Sequence, residues 1–104
     1  METPTKITFF EWLIPFVEKG QKTITIRDES ESHYLPGSMV DVHVLETDRK
    51  VCVIKIEKVE KISFNEINKK HALQEYMTLT KLKKLIREIY PDTDSLYVIT
   101  FRKM

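Results

Sequence analysis

The sequence predicts an α+β fold: a small barrel of mostly antiparallel strands with a short N-terminal helix and a helical insertion before the last strand. The 11 isoleucines and 8 valines together outnumber the 8 leucines, and β-branched residues favour the pleated surface of a sheet. Several segments alternate polar and apolar residues, as half-buried strands do. A length of 104 residues suits one hydrophobic core, so we expect residues 1–104 to form a single domain.

Each predicted element has its own local signal. Gly20 is a typical C-terminal stop for the first helix. Ser63 and Glu66 have the spacing of a capping box, Thr78 is a suitable N-cap, and Pro91 ends the last helix. The predicted elements are, in order, a strand at 7–10, a helix at 11–19, a strand at 22–28, a strand at 39–44, a long strand at 51–60, a helix from Ser63 toward Glu75, a helix from Thr78 to Pro91 and a strand at 96–102.

Composition excludes several classes of function. Seventeen basic and sixteen acidic residues leave a net charge of +1, which argues against a general polyanion binder. Apolar runs are far shorter than the roughly 20 residues of a membrane span, and the N-terminus lacks a secretion signal, so we expect a cytoplasmic protein without membrane association. The lone Cys52 and three scattered histidines form a poor ligand set for zinc, so no metal or other cofactor is expected.

Residues 20–33, GQKTITIRDESESH, concentrate chemically useful side chains. A lysine with a lowered pKa can act as a base toward a nearby hydroxyl, and Arg27 would favour the neutral form of Lys22 by repulsion. Thr25 is then the natural nucleophile. The structural alternative is an ordinary amphipathic strand with a solvated face. In a straight strand, moreover, Lys22 and Thr25 point to opposite faces, so their pairing requires twist, a bulge or a curled lysine side chain.

Gly20-x-Lys22-x-x-Thr25-x-Arg27 resembles the G-x-K-x-x-E-x-R signature of the ASCH domain (activating signal cointegrator homology), a small β-barrel related to the PUA RNA-binding domain. Thr25 stands where that signature has an acid. The segments KTITIRDESESH, KHALQEYMTLTKLKKLI with IYP, and YVITFR closely resemble the ASCH-domain family of bacterial N4-acetylcytidine amidohydrolases. The resemblance runs from Ile7 to Arg102 and implies a PUA-like fold.

The resemblance also implies a reaction, the hydrolysis of N4-acetylcytidine to cytidine and acetate. In that family a lysine, a threonine and a glutamate act as proton acceptor, nucleophile and proton donor, and the matching positions are Lys22, Thr25 and Glu75. Cytosine delocalises the lone pair of its exocyclic nitrogen, so this amide is more activated than a peptide bond and no metal is required. A covalent acyl-threonine and an activated water positioned by Thr25 both remain open. Without the family resemblance, the sequence around Glu75 indicates an ordinary solvated glutamate.

Three further residues are predicted to contact the substrate. Arg27, or backbone N–H groups of the loop after it, would hold the developing oxyanion. His71 lies four residues before Glu75, so it could share the same helix face and position the acid or line the cleft. As a metal-binding pair, His71 and Glu75 lack a third ligand. Tyr34 could stack on a pyrimidine, although a tyrosine in a small β-rich protein also serves the core.

Two other classes of function compete with the amidohydrolase. One is an RNA-binding module of the PUA-like type, whose cleft grips nucleotides without reacting; the other is a regulatory domain with a vestigial cleft. The near-neutral charge and the replacement of the usual acid by Thr25 favour the enzyme. We therefore expect a small-molecule partner, an acylated cytidine or cytosine, and a monomer, because a closed barrel leaves no strand edges to cover.

Overall fold

The computed structural model describes residues 3–104, which form one five-stranded mixed sheet with three α-helices. The strands are β1 (Lys6–Phe9), β2 (Ile24–Arg27), β3 (Met39–Val44), β4 (Lys50–Ser63) and β5 (Ser95–Lys103); the helices are α1 (Ile14–Glu18), α2 (Lys69–Gln74) and α3 (Leu79–Ile89). The predicted α+β class is confirmed. No helix in residues 3–104 is long and apolar enough to cross a membrane.

The order of strands across the sheet is β1-β3-β4-β5-β2. β1 pairs with β3 in parallel and every other pair is antiparallel, as the predicted mostly antiparallel sheet requires. β4 lies at the centre and has 14 residues. Its pairing with β5 shifts between Ile56 and Lys58, and such a bulge bends a strand and increases its twist. The first half of β4 can therefore pair with β3, while its second half bends away from β3 together with β5.

This curvature brings the two edge strands toward each other, but the sheet does not close into a barrel. β1 and β2 lie at opposite ends of the strand order and have only four residues each. Instead of a backbone ladder, a side chain joins them: Nη2 of Arg27 on β2 donates to the carbonyl of Thr8 on β1 at 2.7 Å. The gap between these strands, here called the seam, is thus lined by side chains.

Local sequence signals explain the helices, with one exception. Thr78 caps α3, where its hydroxyl accepts from the backbone N–H of Lys81. The predicted first helix consists of a 3₁₀ turn at Glu11–Leu13 followed by α1, with a proline at the start of α1. After it, Gly20 has a φ of 72°, a conformation that glycine adopts without steric cost.

The exception is the helix predicted to run from Ser63 toward Glu75. The capping box of Ser63 and Glu66 is present, but it starts only a 3₁₀ turn at Phe64–Glu66. Ile67 and Asn68 then have extended backbone, and Asn68 caps the separate helix α2. A capping box stabilises the first turn of a helix, but it does not carry the helix past a second residue that prefers the cap position, here Asn68.

The buried apolar side chains form two clusters. One joins α1 to β1, β3, β4 and β5 and includes Ile7, Val17 and Phe101; the other joins α2 and α3 to β2 and β5 and includes Ile24, Leu82 and Leu96. The four polar or charged residues that are buried in the described chain are Lys22, Thr25, Ser32 and Glu75. Three of these are the predicted catalytic residues.

Candidate active site

The seam holds a cavity of about 190 Å³. Residues from β1, β2, α3 and the end of α2 contribute to its wall. Its polar side chains are those of Thr8, Lys22, Thr25, Arg27, Glu31, Glu75 and Tyr90. The predicted catalytic residues Lys22, Thr25 and Glu75 are thereby brought together with Arg27 in one cavity.

Lys22 reaches this cavity because it precedes β2 rather than belonging to it. The predicted strand at 22–28 begins at Ile24, since the N–H groups of Gln21 and Lys22 both donate to the Phe16 carbonyl at the end of α1. The Lys22 side chain runs along the chain, and its Nζ donates to the Ile24 carbonyl at 2.8 Å. The alternation of a straight strand therefore does not separate Lys22 from Thr25.

Glu75 is placed by the C-terminus of α2. It is the C-cap residue of that helix, and its N–H donates to the His71 carbonyl. The carbonyl of the preceding residue, Gln74, accepts from the Thr23 N–H at 2.8 Å. This hydrogen bond connects the end of α2 to the start of β2. This junction brings the carboxylate of Glu75 into a direct hydrogen bond with Lys22 Nζ.

The Lys22–Glu75 pair is almost completely buried. Lys22 is 2% exposed and Glu75 is 5% exposed. Burial lowers the pKa of Lys22 well below its usual value, and the positive charge of Arg27 lowers it further. Both causes disfavour the ammonium form. Lys22 thus has the electrostatic environment of a lysine that gives up its proton more readily than a lysine in water.

Thr25 is held by Arg27. Nε of Arg27 donates to Thr25 Oγ at 3.1 Å, while its Nη1 donates to Glu31 at 2.7 Å. Because Arg27 only donates, the Thr25 hydroxyl hydrogen stays available for a base. Lys22 Nζ and Arg27 Cζ each lie 5.4 Å from the ring centre of Phe9, so both basic side chains pack near the same aromatic ring.

The rest of the wall is apolar and comes largely from α3. The apolar side chains of this helix that face the cavity fall into two groups: Leu82 and Ile86 are buried in the core, whereas Leu85 is half-buried and Ile89 is exposed. All four line the cavity, together with Phe9, Phe10, Leu13, Ile26 and Leu45. The cavity therefore combines a compact, mostly apolar wall with a few polar groups, which is the usual construction of a small-molecule site.

His71 and Tyr34, which were predicted to contact the substrate, do not line the cavity. Nδ1 of His71 accepts from the Asn68 N–H at 3.1 Å and completes the capping box of α2. Burial lowers the pKa of His71, which keeps this nitrogen able to accept. Tyr34 is buried in the core cluster beside β1, where its hydroxyl donates to the Lys6 carbonyl at 3.0 Å.

Sequence reasoning assigned no role to Glu31, Tyr90 or Phe9, although all three line the cavity. The opposite charges of Arg27 and Glu31 at a spacing of four could have indicated their ion pair. Tyr90 had no such signal, because its contact with Glu31 joins positions 59 residues apart.

The described residues offer little to a metal ion. In residues 3–104, no three side chains of histidine, cysteine, aspartate or glutamate are grouped as ligands. His71 and Glu75 do not combine either, because the histidine caps α2 and the glutamate contacts Lys22.

Comparisons with known proteins identify the family of the chain. The family model of the ASCH domain matches residues 6–84. Over 98 residues the chain is 65% identical to a Vibrio parahaemolyticus protein named N(4)-acetylcytidine amidohydrolase, covering 94% of this chain and 92% of that one. A Vibrio vulnificus protein of the same name is 51% identical over all of both chains. The crystal structure of an ASCH domain from Lactobacillus crispatus superposes with a TM-score of 0.78 at 15% identity, covering 95% of this chain and 79% of that one. The chain therefore belongs to the ASCH domain family.

Proposed function

We propose that this protein is an amidohydrolase that converts N4-acetylcytidine and water to cytidine and acetate. The relatives above carry this name at 51–65% identity over nearly the whole chain. The observation that carries the mechanism is the buried Lys22–Glu75 pair in the same apolar cavity as the Thr25 hydroxyl. Such a cavity supplies a base, an acid and a nucleophile without a cofactor.

The hydrogen bonds of Lys22 suit a neutral amine. Within the described chain Nζ donates to two oxygens, the Ile24 carbonyl and Oε1 of Glu75. A neutral amine has two N–H groups and one lone pair, so these acceptors use both donors and leave the lone pair for the Thr25 hydroxyl. Glu75 then carries its proton on the other oxygen. Burial favours this neutral pair because charges are costly in an apolar interior.

In the first half-reaction, Thr25 Oγ bonds to the acetyl carbonyl carbon and its proton passes to Lys22. The tetrahedral intermediate collapses when Glu75 protonates the exocyclic nitrogen and the C–N bond breaks. Cytidine leaves, and the acetyl group stays on Thr25 as an ester. Lys22 is now an ammonium and Glu75 a carboxylate.

The second half-reaction reverses the two roles. Glu75 takes a proton from a water molecule whose oxygen attacks the ester carbonyl, and Lys22 returns its proton to Thr25 Oγ as that oxygen leaves. Acetic acid forms and ionises to acetate. Both residues regain their starting protonation state, which explains why a lysine and a glutamate are buried in direct contact.

Arg27 is proposed to stabilise the oxyanion. Its guanidinium lies beside Thr25 Oγ and therefore close to the carbonyl that this oxygen attacks. Of its five N–H donors, three are committed to Thr25, Glu31 and the Thr8 carbonyl. The remaining two can meet the developing charge, an interaction worth roughly 3 kcal/mol per donor.

The size and position of the cavity favour a compact substrate. At about 190 Å³ it is smaller than the roughly 300–1,000 Å³ of sites that bury drug-sized ligands, and it suits an acylated base with the ribose toward solvent. We also propose that residues 1–104 work as one domain, in the cytoplasm and as a monomer. The two edge strands support the monomer, because each has only four residues and so offers little backbone for pairing with another chain.

The test is product formation by the purified protein. We expect cytidine and acetate to appear from N4-acetylcytidine in a 1:1 ratio. Lys22→Arg keeps a long basic side chain but cannot deprotonate near neutral pH, so it should be nearly inactive while still folded. If the wild-type protein released no cytidine, the proposed function would be wrong. Normal turnover by the arginine variant would instead remove Lys22 from the role of base.

A further inference from the structure

Arg27 is held at Thr25 by a chain of hydrogen bonds that begins at the end of α3. The Tyr90 hydroxyl donates to Oε1 of Glu31 at 3.0 Å. The other oxygen of Glu31 accepts from Arg27 Nη1 at 2.7 Å, and Arg27 Nε donates to Thr25 Oγ. Four residues from three parts of the chain are thus connected in sequence.

We propose that Glu31 and Tyr90 are positioning residues, which act on the reaction by fixing the Arg27 guanidinium against the Thr25 hydroxyl. This inference rests on the proposed function for its kinetic consequence. Its structural content, the orientation of Thr25, is independent of any substrate.

The geometry requires something to orient the guanidinium. Glu31 accepts from Nη1, the Thr8 carbonyl accepts from Nη2 and the Thr25 hydroxyl accepts from Nε, so three acceptors fix the guanidinium. The hydrogen bond to the Glu31 carboxylate is charge-assisted and therefore stronger than the other two. Without Glu31, Arg27 keeps only the two neutral acceptors and is held less firmly.

Tyr90 in turn restrains Glu31, whose side chain is otherwise 46% exposed in the 3₁₀ turn Glu29–Glu31. The Tyr90 ring is buried in the core cluster of α3 and β2, so its hydroxyl is a donor fixed by packing. Burial and the neighbouring Glu31 raise the pKa of Tyr90, which keeps the hydroxyl protonated. The core thereby determines which rotamer of Glu31 meets Arg27.

The kinetic test compares Glu31→Gln and Tyr90→Phe with Glu29→Gln, a matched control on an exposed glutamate of the same turn. Small misplacements of reacting groups can cost about a hundredfold in rate, so we expect the kcat of Glu31→Gln to fall about ten- to a hundredfold and that of Tyr90→Phe to fall less. KM should change by less than about twofold, because the ground-state contacts remain. The double variant should be no slower than Glu31→Gln, since Tyr90 acts through Glu31.

A second measurement does not depend on activity. Three-bond couplings from the Thr25 methyl carbon to its backbone nitrogen and carbonyl carbon report χ1 by NMR. We expect one rotamer in the wild type and in Glu29→Gln, and rotamer averaging in Glu31→Gln and Tyr90→Phe. Unchanged couplings would overturn the proposal, as would a raised KM with normal kcat, which would make Glu31 a substrate contact. If the wild type were inactive, the proposed function would fail while the couplings still decided the role of Glu31.

Discussion

A lysine is rarely buried unless its environment offers a partner or removes its charge. Lys22 has both, because Glu75 contacts its Nζ and its pKa is lowered by burial and by Arg27. Breaking such a pair leaves one polar group unpartnered, whereas replacing both members by apolar side chains removes the cost of burying them. The pair is therefore expected to serve catalysis at the expense of stability.

This expectation predicts an order of stabilities. Lys22→Met should lower the free energy of unfolding by about 1–3 kcal/mol, the cost of leaving a buried hydrogen-bonding group without its partner. Lys22→Met combined with Glu75→Leu should be at least as stable as the wild type and inactive. Urea denaturation measures all three proteins. A double variant less stable than Lys22→Met would show that the pair contributes to stability in its own right.

The charge of Arg27 predicts a shift in the pH dependence of kcat/KM. The positive charge of Arg27 favours the deprotonated form of Lys22 and lowers its pKa. Arg27→Gln removes that charge and should move the limb of the profile that reports Lys22 to higher pH. Lys61→Gln, at an exposed cation of β4 outside the cavity, is the control. If the pH profile of Arg27→Gln were the same as that of the wild type, Arg27 would not set the pKa of Lys22.

At the scale of elements, α2 is a weak support for an important residue. It has six residues, of which only Ala72 is buried, and a helix this short depends on its caps. Asn68 provides the N-cap, accepting from the Lys70 N–H at 2.8 Å, and His71 completes the box. Glu75 stands at the other end of the same helix. His71 thus affects the cavity from a distance.

Asn68→Ala should therefore reduce both stability and turnover. Loss of an N-cap costs about 1 kcal/mol, and the loosened α2 should hold Glu75 less firmly against Lys22. Thr78→Ala removes the comparable cap of α3, which is longer and is anchored by the buried Leu82 and Ile86. Calorimetry should give similar losses of stability for the two variants. A kcat reduced equally in both would show that α2 has no special part in placing Glu75.

Hydrophobic patterning predicted most of the elements, because apolar residues at helical spacing, such as Leu82 and Ile86, indicate which face of a helix is buried. It could not predict the break at Ile67, which depends on competition between two capping residues. It also placed Lys22 within a strand, since nothing local shows that its N–H donates to Phe16. The family resemblance predicted that Glu75 acts together with Lys22. No local sequence pattern predicted the contact between Glu31 and Tyr90.

At the scale of the molecule, an incompletely closed sheet supplies the site. A fully paired barrel would fill the space between β1 and β2 with backbone hydrogen bonds, whereas here Arg27 spans it. The seam lets polar side chains from β2 and α2 reach a cavity that the two apolar clusters surround. Curvature produced by the bulge in β4 is thus linked to the position of the reactive groups.

Because the proposed chemistry uses only the residues of the seam, hydrolysis of N4-acetylcytidine should continue after prolonged treatment with EDTA. The measurement is the rate of cytidine release before and after removal of the chelator, with and without added zinc. Complete loss with EDTA and recovery with zinc would contradict the mechanism, because it would assign a step to a metal ion.

The central claim is that the Thr25 hydroxyl is the nucleophile, and cytidine release by Thr25→Ser and Thr25→Val tests it most directly. Serine keeps the hydroxyl but loses the methyl group that restricts χ1, whereas valine keeps the branched shape of a buried strand residue and lacks the oxygen. With thermal denaturation confirming that both fold, we predict slower but measurable hydrolysis by Thr25→Ser and almost none by Thr25→Val. Robust turnover by Thr25→Val would contradict the account and make an activated water the nucleophile.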